Sequence, residues 1–205
     1  MKRKKRTFAV RYEDFATKFS WRQCNNTNNH QISKIMISKK LTKAINDQIN
    51  AEMWSAYLYL SMSQDLYAKG FKGIAHWFKV QFLEEQAHAA IMINYLHSQN
   101  ARVVLAPIAK VQTEWSTVLS VFEDTLAHEK KVTAMINNLC DIADEDKDRA
   151  AANFLAWFID EQVEEEENAL DLVNQCKMIG DNIGGMMLLD KEIGARQYHT
   201  PSPLK

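Results

Sequence analysis

The chain has 205 residues, 46% of them hydrophobic and 25% charged, enough for one sizeable core and in the range of a soluble globular domain. Cys24, Cys140 and Cys176 form no C-x-x-C pair and no run approaches about eighteen apolar residues, which argues against a disulfide framework, a cysteine-based metal site and a membrane-spanning helix. The net charge of -1 divides into +7 over residues 1–35 (nine Lys/Arg, two Asp/Glu) and -8 over residues 36–205 (sixteen against twenty-four), so the body of the chain is acidic.

The opening MKRKKR is followed by no apolar stretch, because Arg11, Glu13, Asp14 and Lys18 interrupt it, so residues 1–35 make a poor signal peptide. The expectation is a basic tail outside the folded domain, disordered or translated ahead of a start at Met36, rather than a nucleic-acid or membrane contact. From Ser38, a good N-cap, Leu41, Ile45, Ile49, Met53, Ala56 and Leu60 recur at helical steps to about Tyr67. Gly70 stops that helix, and a second runs from about Phe71 to Gln99. Asn100 to Trp115, with Val103, Val104 and Pro107, breaks the period and reads as a crossover. Ser116 is placed as the cap of a third helix reaching about Asp144, and a fourth runs from about Lys147 to Met178 before Gly180. Ile183 to Ile193 can form a short fifth helix, with a tail from Arg196. Few glycines and prolines and four helices of about 40 to 48 Å at 1.5 Å per residue favour an all-α fold, two antiparallel hairpins joined by a long link.

One spacing stands out. Glu52 precedes Glu85 by 33 residues, Glu129 precedes Gln162 by 33, and the two pairs are offset by 77. Each second member opens an i, i+3 pair, Glu85 with His88 and Gln162 with Glu165, which share a helix face. A single acidic residue on a helix is usually solvated. Here Glu52 sits among Met53, Ala56 and Leu60, and Glu129 among Leu126, Val132 and Ile136, where an unpaired carboxylate is costly. Four helices then supply carboxylates and an imidazole without thiolate, a donor set suited to iron or manganese, and a bridging carboxylate can hold two such ions together.

The run FLAWFIDEQVEEE (Phe154 to Glu166) resembles the fourth-helix signature of bacterial non-haem ferritins, and FLEEQAH (Phe82 to His88) resembles their second-helix motif, the resemblance covering Met36 to about Gln197. It implies a ferritin-like four-helix bundle and a cytoplasmic protein that stores iron as ferroxidase, oxidising Fe(II) with O2 or H2O2 in a shell of 24 copies. The implied di-iron centre has Glu52, Glu85 and His88 at one iron and Glu85, Glu129 and Glu165 at the other, with Gln162 close by and Tyr59 near the pair. Glu84, Glu161 and Glu164 match a third iron site. The fifth helix is expected to line a four-fold axis, made apolar by Met186, Met187, Leu188 and Leu189. Trp157 is assigned to packing, and His76, His97, His128 and His199 receive no role.

Related haem proteins carry methionine where this chain has Gln86 and a second Glu-x-x-His where it has Gln162 and Glu165, so no haem is expected, nor a nucleic-acid or membrane partner. Rubrerythrin-like peroxidases need a cysteine-based iron domain that is absent from this sequence. The rival from another class is a helical interaction protein with solvated acidic faces, against which the matched spacing argues.

Overall fold

The structure, a computed structural model, describes residues 37–205; the expectation for residues 1–35 falls outside the described residues. Those residues form α1 (Lys39–Ala68), α2 (Lys72–Ser98), α3 (Val118–Glu145), α4 (Arg149–Ile179), α5 (Ile183–Ile193) and a 3-10 turn at Ser202–Leu204, with no strand. The long crossover and short fifth helix stand as expected.

Local chemistry sets the helix ends. Ser38 caps α1, its hydroxyl accepting from the Leu41 amide, and Gly70 at φ 94° takes the left-handed step that turns the chain into α2. The cap of α3 is Thr117, one residue beyond Ser116, because Thr117 and Ser120 each accept the other's backbone N–H in a reciprocal box. The fourth helix starts at Arg149 rather than Lys147, since the Asp148 carboxylate accepts from the amides of Ala150 and Ala151.

Phe71 offers α2 no side-chain cap. The need is met from far along the chain: the Asp190 carboxylate on α5 accepts from the Ile74 amide at 2.9 Å. The two backbones are close enough that a Cβ on Gly73 would lie 1.7 Å from the Asp190 carbonyl oxygen, so glycine is required there for α5 to seat. Leu189 and Asp190 face inward and Met186 packs on the core, leaving Ile183, Met187 and Leu188 exposed. Of the four residues expected to make an apolar outer lining, Met186 and Leu189 therefore serve the subunit's own core.

Helices α1 and α2 form one hairpin, α3 and α4 the other, with α1 also packed on α3 and α5 on α2. The crossover is laid along α1 by polar side chains: Asn46 donates to the Arg102 carbonyl, Asn50 to Ala106, Ser61 to Gln112 and Lys69 to Trp115. From Asn46 to Lys69 is about 35 Å of helix, so this extended segment follows nearly the whole rod.

The apolar interior comes in two halves. One gathers Leu41, Ile45, Ile49, Met92, Leu96, Val132, Ile136, Leu155 and Phe158. The other gathers Leu58, Met62, Leu66, Ile74, Phe78, Val121, Phe122, Leu172 and Val173. Each fully buried aliphatic contributes about 1.5–3 kcal/mol. On each of the four long helices the switch between halves falls at a short buried polar stretch: Gln48, Glu52 and Ser55 on α1, Gln81, Glu85 and His88 on α2, Thr125 and Glu129 on α3, Gln162 and Glu165 on α4. A polar layer thus crosses the middle of the bundle.

Candidate metal centre

Ile45, Ile49, Glu52, Ala56 and Tyr59 share the buried stripe of α1, so the spacing that fills the core also carries Glu52 inward; the i, i+3 step on α2 does the same for Glu85 and His88. Exposure falls to 1% at Glu52, 2% at Glu85, 2% at His88, 1% at Glu129 and 5% at Glu165, which removes the reading of a solvated acidic face at these positions. Glu52, Glu85 and His88 each bring one potential ligand atom within 4.8 Å of the others, the one such group found among the described residues that could hold a metal ion. Glu52 Oε2, Glu85 Oε2 and His88 Nε2 are buried with no hydrogen-bond partner. Orphaned acceptors and an imidazole gathered at one point form a donor set that a cation would satisfy.

Glu129 and Glu165 approach from the other hairpin. Tyr59 donates its hydroxyl to Glu129 Oε1, and the Gln162 amide lies 3.3 Å from Glu129 Oε2. Tyr59 is fully buried and meets Phe78 and His128 ring to ring. Trp157 and His88 meet in an edge-to-face arrangement, ring centroids 5.6 Å apart, so an aromatic ring borders the layer at this point. A surface cleft lined by Thr133, Asn137, Gln162 and Glu166, among others, reaches the layer at Gln162.

Charge in this layer is unbalanced. Burial pushes the Glu85 carboxyl up to about 7 against the pull of His88. Burial and the neighbouring Glu165 push Glu129 up to about 8, and burial pushes Glu165 to about 7. Glu52 rises well above the usual carboxylate range through burial and then Glu85. Burial alone would lower the His88 imidazole, but Glu161, Glu85 and Glu52 hold it well above its ordinary value. Without an ion, the layer holds protons where a cation would replace them.

The outer carboxylates are arranged differently. Glu84 is half-buried, Glu161 half-buried and Glu164 exposed, and these three are not drawn into a common ligand group. Glu161 Oε1 faces His88 Nε2 at 3.7 Å, while Glu84 Oε2 accepts from Arg196 Nη2 at 2.8 Å.

Sequence reasoning missed four residues here. Gln48 donates to Glu52 Oε1 at 2.9 Å and Gln81 to Glu165 Oε2 at 2.8 Å. A signal existed, because Gln81 follows Gln48 by the same 33 residues that separate Glu52 from Glu85. Arg196 reaches both Gln81 and Glu84 from the tail. His128, half-buried between Trp54 and Tyr59, bonds Ser55 Oγ at 2.7 Å, and burial lowers it to about 4, so it stays neutral beside the layer.

Comparison with known proteins gives a consistent picture. The Ferritin-like domain family matches residues 42–179. The bacterial non-heme ferritin of Bacteroides fragilis (strain 638R) is 45% identical over 161 residues, 78% of this chain and 100% of that protein. Its namesake in Staphylococcus aureus (strain USA300) is 37% identical over 163 residues, 80% of this chain and 98% of that one. Among solved structures, an open pore ferritin from the archaeon Archaeoglobus fulgidus superposes with TM-score 0.78 at 43% identity, covering 78% of this chain and 99% of that one. An engineered closed form of the same ferritin gives 0.79 at 42%, covering 80% and 99%.

Proposed function

The chain belongs to the ferritin-like domain family, and from that premise we propose that it stores iron and oxidises Fe(II) in the polar layer of each bundle. The observation that carries this reading is the buried trio Glu52, Glu85 and His88, whose ligand atoms lie within 4.8 Å of one another and in which a carboxylate oxygen of Glu52 and one of Glu85 have no hydrogen-bond partner. Iron is the substrate and cargo. Glu52, Glu85 and His88 hold one ion, and Glu85, Glu129 and Glu165 hold the second, with Gln162 beside Glu129. Two Fe(II) ions give one electron each to dioxygen, which takes two protons and leaves as hydrogen peroxide; hydrolysis of the ferric ions to oxyhydroxide releases protons to solvent. The protein supplies fixed geometry and negative charge. Gln48 and Gln81 orient Glu52 and Glu165 by donating to one oxygen of each, which leaves the other oxygen to the ion. Tyr59 orients Glu129 by donating to Oε1, while the Gln162 amide donates to Oε2. A third ion beside the pair would use Glu84, Glu161 and Glu164.

Storage requires an enclosure. We assign this to a closed shell of 24 copies, in which the exposed Ile183, Met187 and Leu188 of α5 and the exposed Val104 and Leu105 of the crossover are covered by neighbouring subunits. Aerobic loading with Fe(II) far beyond site occupancy, followed by size-exclusion chromatography, tests both parts. Ferric absorbance is expected to co-elute with a very large discrete particle, and Glu85→Ala is expected to keep the helical fold while oxidation slows at least tenfold. Iron retained at a few ions per chain on a small oligomer sinks the storage reading, and unaltered oxidation in the variant sinks the assignment of the site.

A further inference from the structure

Arg196 lies beyond α5, yet it is held at four points along one helix. The His76 imidazole bonds its carbonyl at 3.0 Å, and its guanidinium stacks 4.9 Å from the Trp77 ring centroid. One arm, Nη1, donates to Gln81 Oε1, and the other, Nη2, donates to Glu84 Oε2 at 2.8 Å. These four partners, residues 76, 77, 81 and 84, follow one side of α2 at helical steps. Gln81 is completely buried and passes the contact inward, its Nε2 donating to Glu165 Oε2 at 2.8 Å.

An amide side chain has two ends, and only one of them can donate. Arg196 has no acceptor, so its bond to Gln81 Oε1 forces the Gln81 amino group to face Glu165. The planar fork also gives each acceptor its own nitrogen in a fixed plane, whereas a lysine would have to serve both from a single nitrogen. We propose that Arg196 is a positioning residue for the metal layer: by fixing the orientation of Gln81 from the C-terminal tail, it holds Glu165 ready for the second ion. The tail thereby becomes part of the site although it supplies no ligand. This inference rests on the proposed di-iron reading, with Fe(II) as the ligand.

Anaerobic calorimetric titration of the whole protein with Fe(II) alone tests it, because ions at the two positions are counted without any turnover. In Arg196→Gln the second ion is expected to bind about tenfold more weakly while the first, held by Glu52, Glu85 and His88, is unchanged, as outer partners of a ligand typically contribute. Gln81→Met is expected to weaken the same ion, and the double variant should be no worse than Gln81→Met alone, since both changes break one chain of bonds. Arg196→Lys, which keeps charge but not the fork, should fall between wild type and Arg196→Gln. The inference is overturned if the second ion is unaffected, if both ions weaken together, or if the two changes add. A wild-type chain that takes up no ion in the layer overturns the parent reading, and this one falls with it; normal wild-type uptake with an indifferent Arg196→Gln removes this inference alone.

Discussion

Glu85 is the residue on which the layer turns, since it faces Glu52 and His88 within its own hairpin and feels Glu129 across the bundle. An acid whose folded pKa lies above its unfolded one keeps a proton in the fold that the unfolded chain has already lost. The stability from that proton is full below the ordinary value near 4.5 and is lost as pH rises through about 7 for Glu85 and Glu165 and about 8 for Glu129. The raised His88 acts in the same direction, its contribution full below its ordinary value near 6.5 and lost as pH rises through its folded value. The metal-free protein is therefore expected to melt several degrees lower at about pH 8.5 than at about pH 6, a fall that bound Fe(II) under anaerobic conditions flattens because the ion displaces those protons. Thermal unfolding across that range checks it, and a flat metal-free profile contradicts it. The charged members of this layer were legible in the sequence because a carboxylate on an apolar stripe is costly enough to demand an explanation. Gln48 and Gln81 repeat the same interval, but an amide on a helix demands none, so the interval alone did not mark them. Arg196 left no local sign at all: its partners Gln81 and Glu84 lie 115 and 112 residues earlier, and nothing in the tail's own composition points to them.

At the scale of elements, the four long helices were readable from period and caps; the cap of α3 moved from Ser116 to Thr117, and α4 begins at Arg149 rather than about Lys147 because Asp148 caps it. The start of α2 lies beside the expected Phe71, but its cap was not legible there, because the group that satisfies it, Asp190, arrives on α5 from 116 residues away. Gly73 is the corresponding signal in retrospect, a glycine one residue inside a helix where helix propensity alone would favour alanine by about 1 kcal/mol. Gly73→Ala is expected to leave α1 to α4 intact and to release α5, since the added Cβ collides with backbone rather than with a flexible side chain. Hydrogen exchange checks this: amides of residues 183–193 should lose protection by at least tenfold while those of α1 and α3 keep theirs. Equal protection in both proteins would mean that α5 is seated by its apolar side chains alone. The same release should disturb Arg196, which follows α5 by three residues.

For the described molecule as a whole, the crossover is the feature with the widest reach. It is an extended strap tied to α1 through its own carbonyls, and it is the link between two hairpins that meet across the polar layer. The buried polar residues of the layer divide between those hairpins. Glu52, Glu85 and His88 all belong to the first, whereas Glu129, Gln162 and Glu165 belong to the second. On the proposed reading, the first ion is a matter internal to one half of the chain, and the second is a staple between halves. A single backbone cut between Ala109 and Lys110, both exposed, turns that staple from an intramolecular contact into one between two polypeptides. Affinity for the first Fe(II) should then survive the nick, while the second becomes dependent on protein concentration once dilution separates the halves. Titrations of nicked protein at two concentrations distinguish this from a cut that damages both positions alike. The strap thus sets the effective concentration at which one half of the site meets the other, a quantity written in the length of a connection that touches no ligand.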